Sequence, residues 1–376
     1  MLTNIISQFA IPGKFLKAGR FGQGLINDTY LCEFRENSAF RKYIIQRINS
    51  AIFNHPEQMM ANVETVTTHI LNRLREQGIE HPHAVTPALL YTRSGQSFYR
   101  DDRGAYWRMF HFIEAGIVFD TVQDAQHAYE IGRGLGKFQS LLADLEPAKL
   151  HDILPGFHDT PRYLAECDVV LREDARQRAA LVKPEMAFVF SRRFLAPLLQ
   201  KLANAGHIPL RVVHNDPKVN NIMIHSASRE ALCMLDLDTV IPGIVHFDFG
   251  DCVRSAANPA GENTKDLDSV YLDLSFFEAI ASGYLRETAG FLTQKEVDAL
   301  PMSAKVITFE LGLRFLVDYL RGDTYFKIAY PSHNLDRARI QFRLLECIEA
   351  EEKQIVSLIA RLAPLQRAPI TERPVP

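Results

Sequence analysis

At 376 residues the chain exceeds the roughly 250–300 residues at which one hydrophobic core stops growing, so two lobes are expected. Hydrophobic residues make up 47% and charged residues 23%, and a net charge of −3 leaves no basic excess to draw nucleic acid. The five cysteines are odd in number, scattered and never spaced as CxxC, which argues against a disulfide framework and a zinc site and fits a reducing cytoplasm.

The opening MLTNIISQFAIPGKF lacks a basic n-region, and no later apolar run reaches the roughly 20 residues a bilayer span needs. A protein that is neither exported nor membrane-embedded is expected. The stretches 14–20, 28–35 and 41–48 read as strands joined by turns containing Gly or Asn. From Pro56 to about Gln77 the pattern is helical, with Val63, Val66, Ile70 and Leu74 spaced by three and four so that one face packs on the sheet. Two further strands are expected at 87–92 and 105–112. Residues 1–112 thus form a small antiparallel-sheet lobe with one helix.

Residues 113–376 read as a larger, mainly helical lobe, with helices expected over 123–143, 185–204, 266–290, 293–321 and 334–361. Thr293 and Glu296 make a capping box for one of them. Between the second and third helices lie RVVH, NIMIH and ALCMLDLD, short apolar runs whose connecting loops carry polar residues. The fold class is therefore α+β and bilobal, with a tail after Leu365 that frays.

The most specific signal is VVHNDPKVNNIMI, residues 212–224, which sets His214, Asp216, Lys218 and Asn221 on a loop between two strands. Phosphoryl transfer from ATP needs one carboxylate to orient and deprotonate the attacking hydroxyl, and oxygen ligands to hold Mg²⁺ against the phosphates. Asp216 suits the base, Asn221 a metal ligand, and Lys218 a charge on the γ-phosphate; His214 braces the loop. Taken alone, a polar turn explains the same residue types. Asp236, at the end of the next apolar run in CMLDLDTVIPG, can complete the Mg²⁺ site; Asp238, two residues on, is its rival.

The pattern HxDxxxxN followed by an apolar strand and Asp resembles the aminoglycoside phosphotransferase and choline kinase superfamily. A closer resemblance is to bacterial N-acetylhexosamine 1-kinases, carried by GQGLINDTYL, YIIQRIN, FHDTPRYL, HNDPKVNNIMI, LDLDTVIPG, FDFGDCVRSAAN and LRFLVDYLRGDTYF. The resemblance implies a protein-kinase-like fold with ATP between the lobes and phosphorylation of the anomeric hydroxyl of an N-acetylhexosamine. An amino alcohol or aminoglycoside acceptor is the alternative; a catalytically silent nucleotide-binding protein is an alternative of another class. Asp248-Phe249-Gly250 spells a kinase metal motif but comes too late in the chain, so Asp248 is expected to be a helix N-cap or a buried structural partner.

Around this centre stand further candidates. Gly22, Gln23 and Gly24, with Asn27 and Thr29 at the exit of their turn, can bring backbone N–H groups to ATP phosphates, although a hairpin needing glycine explains the turn equally well. The third strand has no phosphate-anchoring lysine; Gln46 and Arg47 lie on opposite faces, and Arg47, which can pair with Glu64, is the candidate to supply the charge. The resemblance implies that the His111 carbonyl and Ile113 N–H meet the adenine edge. Phe247 borders the sugar site, with Asp251 its rival, while Arg314 and Asp318, four apart on one helix face, are read as acceptor contacts against the plainer reading of a surface ion pair.

Overall fold

A computed structural model describes residues 2–22 and 26–367. A short helix α1 (Leu2–Ile6) precedes β1 (Lys14–Arg20), β2 (Asp28–Glu36) and β3 (Ala39–Arg47). Helix α2 (Pro56–Glu76), β4 (Leu89–Leu90), β5 (Tyr99–Arg100) and β6 (Tyr106–His111) follow. These strands make one antiparallel sheet in the order β1-β2-β3-β6-β4, with β5 paired to β6. Its two faces follow from strand alternation. Cys32, Phe34, Tyr43, Ile45, Trp107 and Met109 pack with Ile5, Ile6 and Phe9 of the N-terminal segment. Residues one step along, Gln46 and Arg108, face the other way, where Arg108 meets Met60 of α2.

Beyond β6 come β7 (Gly116–Ile117), α3 (Ala125–Leu141), α4 (Thr160–Glu173), α5 (Lys183–Arg192) and α6 (Leu198–Asn204). Then follow β8 (Arg211–Val213), β9 (Ile222–His225), β10 (Ala231–Met234), β11 (Ile241–Gly243) and α7 (Val245–Ala256). Helices α8 (Leu274–Thr288), α9 (Gln294–Arg321), α10 (His333–Ala350) and α11 (Glu352–Arg367) complete the lobe. Two small sheets, β10-β9-β7 and β11-β8, hold the loops between β8 and α7. An antiparallel-sheet lobe and a helical lobe are thus both present, as the α+β reading requires.

Helix signals explain most agreements and misses. Thr293 and Glu296 form the expected capping box at α9. The stretch 185–204 is broken into α5 and α6 around Pro197, which lacks an N–H to continue the ladder. The stretch 334–361 divides at Glu351, and the strand expected at 87–92 shrinks to Leu89–Leu90. Helix α4 is absent from the sequence reading although Asp159 caps it, accepting the Arg162 N–H at 3.1 Å.

The floor beneath the loops is α3 packed on α8, backbone to backbone. A Cβ on Gly132 would stand 2.0 Å from the Ile280 carbonyl oxygen, and one on Gly283 would stand 2.1 Å from that of Tyr129. This approach sets Gln139 of α3 beside Tyr284 of α8, whose hydroxyl donates to Gln139 Oε1 at 2.7 Å. Among the described residues no helix is long and apolar enough to cross a membrane.

Candidate active site

The loop after β8 is built on one buried carboxylate. Asp248 Oδ2 accepts the His214 N–H at 2.8 Å and Gln139 Nε2 at 2.8 Å, and its Oδ1 accepts the Asn215 N–H at 2.7 Å. Asp248 sits inside α7, whose N-cap is Ile244, so it is the buried partner and not the cap. Asn215 adopts φ +67, which turns the chain so that Asp216 projects from the loop. His214 Nε2 lies 2.7 Å from the Leu235 carbonyl oxygen, and its Nδ1 accepts the Asp216 N–H at 3.2 Å. The sequence-predicted bracing role of His214 matches these contacts.

Asp216, Lys218, Asn221 and Asp236 converge. Lys218 Nζ donates to Asp216 Oδ2 at 2.6 Å, and Asn221 Nδ2 donates to the same oxygen at 3.1 Å and to the Asp216 carbonyl at 2.8 Å. Asp216 Oδ1 accepts no hydrogen bond among the described residues and stays available for a hydroxyl proton. Burial works against the Lys218 charge, but the carboxylates of Asp216, Asp236 and Asp251 more than offset it and leave the ammonium harder to deprotonate than usual. The Leu235 N–H donates to the Asn221 carbonyl at 2.7 Å, which ties the loop to the turn bearing Asp236.

Asp236 follows β10 in the left-handed region, φ 56 and ψ 60. Asp236 is exposed to solvent while dense protein lies around it, and among the described residues no side chain or N–H bonds to its carboxylate. Burial, with Asp238 and Asp216 adding to it, pushes its pKa up to about 6. A carboxylate crowded by acids and lacking a donor fits a hard divalent cation, and so does Asn221, whose Oδ1 takes no hydrogen bond among the described residues. Among the described residues no group of three His, Cys, Asp or Glu side chains is gathered as for zinc.

Asp238 does not share this outlook, because the chain turns between the two aspartates. It is 2% exposed and forms a forked ion pair with Arg108, whose Nη1 meets Oδ1 and whose Nη2 meets Oδ2 at 2.9 Å. Asn27 Nδ2 also donates to Asp238 Oδ2 at 2.8 Å. Arg108 Nε donates to Gln46 Oε1 at 2.9 Å, and Gln46 Nε2 donates to Thr29 Oγ1 at 3.1 Å.

Several nucleotide-side expectations are thereby relocated. Gln23 and Gly24 lie outside the described residues; Gly22 adopts φ +73, a conformation that favours glycine. Asn27 and Thr29 point into the hydrogen-bonded frame around Asp238 and Gln46. Arg47 faces the outer side of the sheet, half-exposed and 3.8 Å from Asp28 Oδ2, so it supplies no charge to the cleft and does not pair with Glu64. Strand alternation puts Gln46 inward instead. His111 ends β6 with its ring 4.8 Å from that of His83, and burial lowers its pKa to about 4, so it is neutral near pH 7. Among the described residues the Ile113 N–H donates to no group.

A cluster of aromatic rings surrounds Arg314. The Arg314 guanidinium lies over the rings of Phe157, Tyr163 and Phe326 at 4.9, 5.3 and 5.7 Å, and makes no hydrogen bond to a carboxylate among the described residues. Burial opposes its charge, while Tyr163, Glu310, Tyr325 and Asp251 more than compensate. Asp251 is also among the carboxylates that favour the charge on Lys218 in the loop after β8. Asp251 itself is taken by Arg254 Nε at 2.7 Å. Phe247 stacks on His158 at 4.7 Å, and His158 Nδ1 lies 2.8 Å from Glu310 Oε1. Thr160 Oγ1 donates to Glu310 Oε2 at 2.6 Å.

Asp318 is not Arg314's partner. Its carboxylate accepts the N–H groups of Thr324, Tyr325 and Phe326, each at 2.9 Å, and Asn334 Nδ2 at 2.9 Å. It holds the loop after α9 and has no free oxygen to offer an acceptor.

Residues 17–284 match the model of a phosphotransferase enzyme family, a span that contains the loop, the Asp236 turn and all of the first sheet but the first three residues of β1. The chain belongs to that phosphotransferase family. Solved structures share its fold at low identity. A microcompartment-associated aminopropanol kinase superposes with a TM-score of 0.61 at 13% identity over 94% of this chain and 98% of that one. A choline kinase from Cryptosporidium parvum gives 0.54 at 12% identity over 92% and 93%. A spectinomycin phosphotransferase in complex with ADP and spectinomycin gives 0.52 at 12% identity over 91% and 94%.

Within this phosphotransferase, sequence reasoning missed Arg108, the support role of Gln46 and the His158–Glu310 pair. A signal for the first was present. Arg108 interrupts the apolar run YWRMF, and a charge at such a position needs a buried partner.

Proposed function

We propose that this phosphotransferase transfers the γ-phosphoryl group of ATP, with Mg²⁺, to the anomeric hydroxyl of an N-acetylhexosamine. The observation that carries the acceptor class is Arg314: a guanidinium enclosed by aromatic rings, beside the catalytic loop, with no carboxylate hydrogen-bonded to it. Such a cation repels an ammonium group and donates to a carbonyl or hydroxyl oxygen, while the faces of Phe157 and Phe247 suit the C–H faces of a sugar ring. Choline, aminopropanol and aminoglycosides carry positive charge. The nearby carboxylates are already engaged, Asp251 by Arg254 and Glu310 by His158 and Thr160.

In this reading Asp216 Oδ1 accepts the proton of the sugar hydroxyl as its oxygen bonds to the γ-phosphorus and the bond from phosphorus to the bridging β-oxygen breaks, releasing ADP. Lys218, freed from Asp216 Oδ2 as that proton arrives, stabilises the charge moving onto the phosphoryl oxygens. Asn221 and Asp236 would hold Mg²⁺, which neutralises phosphate charge when bound. The backbone at Ile113 offers to the adenine edge an N–H that has no partner among the described residues.

Phosphorus NMR with Mg·ATP and a panel of N-acetylglucosamine, N-acetylgalactosamine, free hexoses, choline and kanamycin tests the reading. An anomeric phosphate ester with the N-acetylated sugars supports it. Ester formed only on choline or kanamycin transfers the same chemistry to a cationic acceptor, and absence of turnover favours a silent nucleotide-binding protein.

A further inference from the structure

The Arg108–Asp238 ion pair joins strand β6 of the first sheet to the turn of the second lobe that carries Asp236. Arg108 is 2% exposed and each nitrogen of its guanidinium has a partner, Nη1 and Nη2 in Asp238 and Nε in Gln46. Asp238 in turn receives Asn27, whose Oδ1 accepts the Asn49 N–H at 3.0 Å. The Asp238 carboxylate, two residues beyond Asp236, therefore connects that turn to Asn27, to the middle of β6 and, through Arg108, to the inward residue of β3.

Stability does not account for building this joint from ions. Desolvating two charges is costly enough that an apolar pair of similar volume often serves a fold as well. Direction does account for it, because a guanidinium fork meets a carboxylate in a fixed plane and at a fixed distance. Asp236 needs such fixing: it holds a left-handed conformation sparsely populated by non-glycine residues, and among the described residues its side chain makes no bond. Strand β3 meanwhile presents an uncharged Gln46 where a cation could have reached across.

We propose that Arg108 is a positioning residue that, through Asp238, sets Asp236 in register with Asn27, the residue before β2, so that metal and nucleotide phosphates meet both lobes at once. The proposal rests on the reading of Asp236 as a metal carboxylate. Calorimetric titration of ADP, with Mg²⁺ and with chelator, separates the two. In the wild type Mg²⁺ tightens ADP binding. In Arg108→Lys, and in Arg108→Met combined with Asp238→Asn so that no charge is left buried alone, that tightening falls about 10–100-fold while metal-free ADP affinity stays within about threefold. Retention of the full Mg²⁺ effect in folded variants makes the pair purely structural and overturns the proposal. A wild type that binds ADP with no Mg²⁺ effect overturns the site reading itself.

Discussion

Asp248 Oδ1 accepts the backbone N–H of Asn215 at 2.7 Å, and through that contact a buried helix carries the loop from which Asp216 projects. Asp248→Asn puts an NH₂ group where one of two backbone donors needs an acceptor, leaving a buried N–H unpaired at a cost of about 1–3 kcal/mol. Urea denaturation should register that loss. Turnover should fall with it, since the residue after Asn215 is Asp216. Unchanged turnover in the destabilised variant would separate loop anchoring from catalysis.

Asp216→Asn removes the proton acceptor but can keep the hydrogen-bond geometry around Asn221 and Lys218. Turnover is expected to drop roughly 10²–10⁴-fold, with ADP affinity held near that of the wild type. Steady-state rates beside calorimetric titration check both halves. An active Asp216→Asn enzyme would remove Asp216 from the chemistry.

Arg314→Met keeps much of the packing against Phe157, Tyr163 and Phe326 while deleting the donors. Loss of a charged hydrogen bond is worth about 1.5–3 kcal/mol, so the acceptor KM should rise about 10–100-fold with the ATP KM little changed. A variant that improves on choline or kanamycin would show the guanidinium excluding cations. If the KM values for ATP and acceptor rise equally, the residue supports the lobe and not the acceptor.

Asp236 gives a pH dependence with a definite sign. Its folded pKa of about 6 stands above the ordinary 3.8, so without a cation its contribution favours folding at low pH and is lost as pH rises from about 4 through 6. A cation reverses the preference, because it needs the ionised carboxylate and competes with the proton. The Mg²⁺ concentration for half-saturation should therefore increase as pH falls below about 6, by up to tenfold per unit. Thermal shifts with Mg·ADP at pH 5.5 and 7.5 measure this, and Asp236→Asn should flatten the difference.

What could be read in the sequence were features with local causes. Strands β1 to β3 show in side-chain alternation, α9 in the Thr293–Glu296 box, and the meeting of Asp216, Lys218 and Asn221 on the loop after β8 in their spacing. Long-range partnerships were hidden. Nothing near Asp318 in sequence distinguishes a surface pair with Arg314 from a carboxylate turned to the N–H groups of residues 324–326. Alternation alone put Gln46 and Arg47 on opposite faces without saying which face was the cleft. That depended on which side α1 covers, and α1 was not anticipated.

Gln46→Lys tests the arrangement on β3 directly. Placing a lysine at the inward position looks like a gain of phosphate affinity if the cleft merely lacks a cation there. In this fold the new ammonium would displace the Gln46 oxygen that accepts Arg108 Nε and would stand beside a guanidinium already matched to Asp238. Two cations would then share one buried carboxylate, and the like-charge contact should destabilise the protein by about 1–3 kcal/mol while loosening Mg·ADP. Arg47→Ala, on the outer face, should leave nucleotide affinity within about twofold. A Gln46→Lys protein of wild-type stability with tighter ADP would mean that Arg108 releases Asp238 readily and that the joint between the lobes is not fixed by this pair.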